Sequence, residues 1–234
     1  ILLGLVGSEM CIRDRSDYMN DLNLYKKNGF LVKENLISQT KINKINKIVN
    51  EVISKEKKRK KGNGTNGTQS YDNYHFVYNS GSSKNKEILR LNNPQNRHKV
   101  FYELSRDKKI ISIAKKLLGG TVRFHLGKLN FKLPNKKKGS EIGWHQDWAF
   151  YPHTNDDLIT VGIYLDDCYE KNGPLKIIKN SHKKKLYSHH SKENYFVGKI
   201  DTKKNKIGTK DSVSITGTAG TVAVSYTHLR AHET

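Results

Sequence analysis

The feature that most limits the fold is a change of hydrophobic period at Gly119-Gly120. Before it, apolar residues recur at helical spacings; after it they alternate with polar residues, as on half-buried strands. Helices first and short strands after is an α+β order. Strands separated by turn residues point further to a barrel or jelly roll. There is no internal repeat and no phosphate-binding Gly-rich loop.

In detail, residues 17–60 read as helical, with Tyr18, Leu22, Leu24 and Tyr25 at mixed helical spacings and Gly29 ending the first helix. Phe30-Leu31-Val32 is an extended link, and Ser38 can cap a helix with Ile42, Ile45, Ile48, Val49, Val52 and Ile53 on one side. The Gly-, Ser- and Asn-rich stretch 61–87 reads as a long irregular loop interrupted by the aromatic run Tyr71–Tyr78. Two further helices are expected around 96–105 and 107–118, the second stopped by Gly119. Strand candidates follow at 122–126, 129–133, 142–150, 158–165, 175–178, 212–215 and 221–223, with a turn at 134–140.

The two ends need separate treatment. One choice of codons for Leu5–Asp14 has a reverse complement that translates, residue for residue, into Val224–Glu233. One end is thus the antisense of the other, as expected of a sequencing-library adapter read through in both orientations. Residues 1–15 and 224–234 are therefore expected to be adapter-derived. Residues 16–223 are the expected domain, helical over 16–120 and barrel over 121–223, and possible truncation at both ends goes with this expectation. Cys11, His228 and His232 drop out of functional reasoning.

A chain of 234 residues can hold one domain with a substantial core. The formal charge of +21 comes from 43 Lys and Arg against 22 Asp and Glu, in a chain whose polar positions are dominated by Lys and Asn. The densest run, Lys57–Lys61, is either a phosphate-binding patch or a solvated helix end; with no aromatics interleaved, the second is preferred. Two cysteines cannot build a disulfide framework, and Cys168 reads as a small buried side chain. A reducing, cytoplasmic setting fits. No apolar run approaches the roughly 20 residues of a membrane span. The sequons Asn63-Gly64-Thr65 and Asn66-Gly67-Thr68 read as flexible loop.

The chemistry is concentrated in Trp144-His145-Gln146-Asp147. Residues i and i+2 of a strand project from one face, roughly 7 Å apart at the backbone. An imidazole and a carboxylate can then converge on one metal, as in the two-His-one-carboxylate sites of iron(II) oxygenases. Taken alone, the pair is equally a surface strand with two polar residues.

The surrounding segments resemble the phytanoyl-CoA dioxygenase family. The resemblance rests on His145-Gln146-Asp147 and on the apolar strand 158–165 ending in Asp166-Asp167. It continues through Asn172-Gly173-Pro174-Leu175 and Ser181-His182-Lys183. Upstream it takes in Gly29-Phe30 and Leu129-Asn130-Phe131-Lys132. It implies a double-stranded β-helix (jelly-roll, cupin-like) barrel with N-terminal helices packed on it and C-terminal strands missing. It also implies an Fe(II)/2-oxoglutarate-dependent dioxygenase that hydroxylates a small organic substrate with dioxygen and releases succinate. By the same resemblance His145 and Asp147 are iron ligands, and a retained Asp favours hydroxylation over halogenation. Lys132 is a candidate contact for 2-oxoglutarate, or one more exposed lysine. Gln146 and Thr160 are weaker co-substrate candidates. Trp148 and Phe150 could wall the substrate pocket, though packing is the simpler role. His182, His189 and His190 read as structural or solvated.

The family's second iron-binding His and its 2-oxoglutarate-binding Arg would lie just past 221–223, in the expected adapter. His228, Arg230 and His232 are therefore rejected as their equivalents, and the chain as written should be inactive or very weak. Two other functions stay open: a cupin-like protein holding a metal without catalysis, and a basic nucleic-acid-binding module, the latter not favoured. Substrate and oligomeric state are not legible.

Overall fold

In the computed structural model, residues 19–58, 68–71, 74–78, 88–132, 142–151, 157–226 and 230–232 are described. A first helix, α1, covers residues 19–28 and ends at Gly29, whose φ of 79° is open to glycine at little cost. Strand β1 (Phe30–Lys33) follows, and then α2 (Gln39–Lys58). The Ser38 hydroxyl accepts from Lys41 N at 3.4 Å, so the expected cap is in place. Ile42, Ile45 and Val49 are the buried side of α2, as their spacing requires.

Helices α3 (Lys99–Ser105) and α4 (Lys108–Leu118) carry side-chain caps from His98 and Asp107, and α4 ends at Gly119 in the left-handed region. Asp107 also accepts from Lys41 Nζ at 2.6 Å, which ties α4 to α2. Asp21 of α1 pairs with Lys33 of β1 at 2.6 Å and with Lys116 of α4 at 3.2 Å.

Between α2 and α3 the structure departs from expectation. In place of a loop, β2 (Thr68–Tyr71), β3 (Tyr74–Tyr78) and β4 (Ile88–Asn92) form an antiparallel sheet, joined by β5 (Lys128–Asn130) in the order β2-β3-β4-β5. Phe76, Ile88 and Leu91 bury one side of it against Val52 and Ile53 of α2. Residues 122–126 alternate in sequence but form no strand; β5 begins only at Lys128.

The remaining strands make the barrel: β6 (Ile142–His145), β7 (Thr160–Ile163), β8 (Leu175–Ile178), β9 (Ser212–Ile215), β10 (Val222–Ser225) and β11 (Arg230–His232). They lie in two antiparallel sheets, β1-β10-β7 and β6-β11-β8-β9. Leu175, Ile177, Ile215 and Ala223 share one cluster with Phe30, Val32, Tyr164 and Val213, so the sheets pack face to face. On the other side of β10, Val222 and Val224 pack with Tyr25, Ile42 and Ile113 of the helices. This is the expected double-stranded β-helix with helices against one sheet.

Gly220 sets the entry to β10. Its φ is 95°, and a Cβ there would fall 2.3 Å from the carbonyl oxygen of Ile37. That close approach lets Ile37 N donate to Gly220 O at 3.1 Å and seats the α2 entry on the barrel. Strand β10 runs two residues beyond Ala223, and β11 lies between β6 and β8, with Arg230 opposite both His145 and Ile177. The expected turn 134–140, the sequons, Tyr18, Cys11, His228 and most of the Lys57–Lys61 run lie outside the described residues.

Candidate functional site

His145 closes β6 and Asp147 opens a turn of 3-10 helix (Asp147–Phe150), so the carboxylate is not itself on a strand. Gln146 between them keeps extended dihedrals, φ −119° and ψ 131°, and the expected one-face relation survives. Both side chains are buried, with His145 Nε2 3.5 Å from Asp147 Oδ1. His145 Nδ1 lies 2.8 Å from Gly143 O. In the neutral ring that contact holds the proton on Nδ1 and leaves the Nε2 lone pair facing the carboxylate.

Burial opposes charge on Asp147, but the Arg230 charge, the adjoining His145 and the hydrogen bond from Thr160 outweigh it. The carboxyl is held well below the usual carboxylate range. Arg230 Nη2 pairs with Asp147 Oδ2, the Thr160 hydroxyl donates to the same oxygen, and Arg230 Nη1 reaches Ser225 Oγ at 3.2 Å. A buried carboxylate kept ionised beside an imidazole lone pair is a donor set suited to a divalent metal. It makes two ligands. Among the described residues no group of three or more His, Cys, Asp or Glu side chains could hold a metal ion. The guanidinium of Arg230 is the cation that neutralises Asp147.

The other expected site residues sort differently. Gln146 is fully buried, but its amide is spent on the segment after β8: Nε2 donates to Lys185 O at 3.3 Å and Oε1 accepts from Tyr187 N at 2.9 Å. It braces that segment. Thr160 is at the site, but its hydroxyl is committed to Asp147 and orients the carboxylate. Lys132 is exposed just past β5, and its electrostatic influence reaches Cys168.

The lysine turned to the pair is Lys128, at the other end of β5. Its ammonium contacts the Tyr151 hydroxyl and lies 4.8 Å from the Tyr151 ring centroid. Enclosure of that ammonium, with Arg90 and Arg230 nearby, pulls it below the ordinary lysine value, and Asp147 pulls the other way. Lys132, the lysine singled out from the sequence, lies four residues further along the chain. Arg90 of β4 supplied no sequence signal, because only strand pairing brings it here.

Phe150 is an inner wall. Its ring meets His145 edge to face at 5.6 Å and Phe196 at 5.2 Å. Trp148 is half-buried and its carbonyl closes the turn by accepting from Tyr151 N at 3.1 Å. His189 is structural, as expected: Nε2 accepts from Gln146 N at 2.8 Å and Nδ1 faces Tyr187 O at 2.9 Å. His182 leans on Lys26 O at 3.1 Å, and Cys168 is half-buried beside Gly217, with which it exchanges backbone hydrogen bonds.

Two facing antiparallel sheets with a buried His-x-Asp pair on the edge of one define the cupin-like, double-stranded β-helix class. Within that class, the chain belongs to the phytanoyl-CoA dioxygenase (PhyH) family, whose profile matches residues 25–225.

Relatives agree. The chain is 42% identical over 122 residues to a protein of Stutzerimonas stutzeri named "Probable alpha-ketoglutarate-dependent hypophosphite dioxygenase", a match covering 52% of this chain and 41% of that protein. It is 36% identical over 86 residues to L-proline trans-4-hydroxylase of Streptomyces griseoviridis, covering 35% of this chain and 31% of the relative. Both matches span less than half the length of the relative. Among solved structures, EctD from S. alaskensis with bound Fe superposes with a TM-score of 0.68 at 19% identity, covering 91% of this chain and 69% of that one. The epimerase SnoN superposes with a TM-score of 0.69 at 14% identity, covering 93% of this chain and 77% of that one. At these identities the likeness concerns the fold. Among the described residues no helix is long and apolar enough to cross a membrane.

Proposed function

We propose that the protein from which this chain derives is an Fe(II)/2-oxoglutarate-dependent dioxygenase that hydroxylates a small substrate. The observation carrying this proposal is the buried His145–Asp147 pair, imidazole nitrogen 3.5 Å from carboxylate oxygen, in a PhyH-family barrel. The relatives, named for action on hypophosphite, proline and ectoine, support it.

His145 and Asp147 would hold the iron, the imidazole through Nε2 and the carboxylate through the oxygen facing it. Iron with 2-oxoglutarate and dioxygen supplies the oxidation, one oxygen atom going to substrate as 2-oxoglutarate loses carbon dioxide to become succinate. The chain's own work is positioning. Gly143 O fixes the His145 tautomer, Thr160 fixes the Asp147 rotamer, and Phe150 shields the imidazole from water.

The antisense relation of Leu5–Asp14 to Val224–Glu233 supports a second part of the proposal: residues 1–15 and 224–234 are library sequence. Arg230 then occupies a strand position that native sequence would fill with the third ligand.

The test is the natural gene, recovered from overlapping reads and expressed with its own sequence after Ala223. With Fe(II), 2-oxoglutarate and oxygen it should form succinate, and His145→Ala and Asp147→Ala should each abolish this. An intact, folded protein that forms no succinate under any of these conditions sinks the proposal.

A further inference from the structure

Beyond the iron-ligand pair, the densest positive constellation near the site lies on one face of the β4–β5 ladder. The register sets Arg90 opposite Asn130 and Asn92 opposite Lys128, while Leu91 and Leu129 turn to the core. Arg90 Nε donates to Asn130 Oδ1 at 2.9 Å, which fixes the guanidinium along the strand pair. Lys128 crosses to the Tyr151 hydroxyl, its ammonium 5.9 Å from the Phe150 ring centroid, and Phe150 packs on His145. The Oδ1 atom of Asn92, across the ladder from Lys128, is buried with no hydrogen-bond partner. As an acceptor it would take a donor group of a ligand, an amine or a hydroxyl, while the anionic end meets Arg90 and Lys128.

Charge sharpens the ligand's nature. The acid acting on Lys128 is Asp147, whereas Arg90 and Arg230 both repel it. A dication held by His145 and Asp147 would add positive charge, and the two carboxylates of 2-oxoglutarate would offset that dication. With Arg230 set aside as library sequence, as proposed above, Arg90 and Lys128 against the single charge of Asp147 leave one positive charge uncompensated. An anion of one charge restores balance in this partly enclosed space.

We propose that Arg90, Lys128 and the Tyr151 hydroxyl form the seat of a small monoanionic substrate, a carboxylate or an oxyanion, beside the iron-ligand pair. The proposal rests on the dioxygenase reading above and narrows its substrate class.

The experiment is calorimetric titration of the protein, with Mn(II) as an inert dication. Acetate, hypophosphite and neutral acetamide are the probes, with and without saturating 2-oxoglutarate. Acetate or hypophosphite should bind in the presence of 2-oxoglutarate, and acetamide should not. Lys128→Met should weaken the monoanion by roughly tenfold or more, the loss of one charge-assisted hydrogen bond, and leave 2-oxoglutarate affinity within about twofold. Lys128→Arg should retain binding. If Lys128→Met does not fold, Arg90→Gln reads the same effect. The proposal is overturned if neither monoanion binds better than acetamide. It is equally overturned if the monoanions compete with 2-oxoglutarate and Lys128→Met weakens the co-substrate instead. If the monoanion binds as described while the intact protein forms no succinate, the dioxygenase reading fails and the anion seat stands.

Discussion

Arg230 pairs with Asp147 from directly across the β6–β11 ladder, where its backbone lies opposite His145. A guanidinium therefore occupies the carboxylate that a metal would need, and both side chains are nearly closed to solvent. Arg230 and a divalent metal should compete for one anion.

That competition can be measured. Arg230→Met leaves Asp147 ionised and without its cation, which should cost on the order of 3 kcal/mol in metal-free buffer. Added Mn(II) should return much of the loss, giving the variant a larger metal-induced rise in melting temperature than the unaltered chain. Equal metal-induced shifts in the two proteins would show that Arg230 does not obstruct the ligand pair.

Gly220 offers a test of the fold itself. Gly220→Ala places a methyl group 2.3 Å from Ile37 O at a φ of 95°, so the link between the α2 entry and β10 must move. The expected cost is roughly 3 kcal/mol or more, from strain together with a lost backbone hydrogen bond. Gly208→Ala meets nothing within 4 Å and should stay within about 0.5 kcal/mol of the parent. Chemical denaturation of both variants decides the matter.

How far these features were legible in the sequence depends on whether they are local. The helical period marked α2 and α4, and alternation marked Leu175–Ile178 and Ser212–Ile215 to the residue. The His-x-Asp pair was visible because extended backbone alone puts both side chains on one face. By contrast, Thr68–Tyr71 and Tyr74–Tyr78 looked like loop, since their strand state comes from pairing with each other and, for Tyr74–Tyr78, with β4. Residues 122–126 had the pattern but form no strand. The approach of Lys128 to Tyr151, and the arrival of Arg90, depend on the β4–β5 register, which is a tertiary fact. The bracing role of Gln146 was not legible, because the segment that takes its amide lies some forty positions downstream.

Acid should unfold the protein in two stages of the same sign. Burial, the largest influence on His189, pulls its proton affinity below the ordinary histidine value. The unfolded chain then takes up a proton near pH ~6.5 that the folded one refuses, so stability falls as pH drops from neutrality through that value. His182, also lowered chiefly by burial, acts in the same direction. Asp147, depressed despite its burial, contributes stability present above the usual carboxylate value of ~4 and lost below it. Thermal melts between pH 8 and 3 should show both declines. His189→Gln should flatten the first while leaving the second, and an unchanged slope near pH 6 would assign that decline elsewhere.

Thr160 tests whether the pair is built for a metal or merely for Arg230. Its hydroxyl donates to the Asp147 oxygen that Arg230 also contacts, leaving the other oxygen toward His145 Nε2. Thr160→Val is nearly the same shape and removes only that donor, so Asp147 keeps its charge and loses its fixed rotamer. If the carboxylate is a metal ligand, affinity for Mn(II) or Fe(II) should fall by roughly 10- to 100-fold, the usual consequence of removing a hydrogen bond that orients a ligand. Stability without metal should change by about 1 kcal/mol, the net worth of one hydrogen bond. A large loss of stability with no change in metal affinity would instead make Thr160 part of a structural Asp147–Arg230 pair.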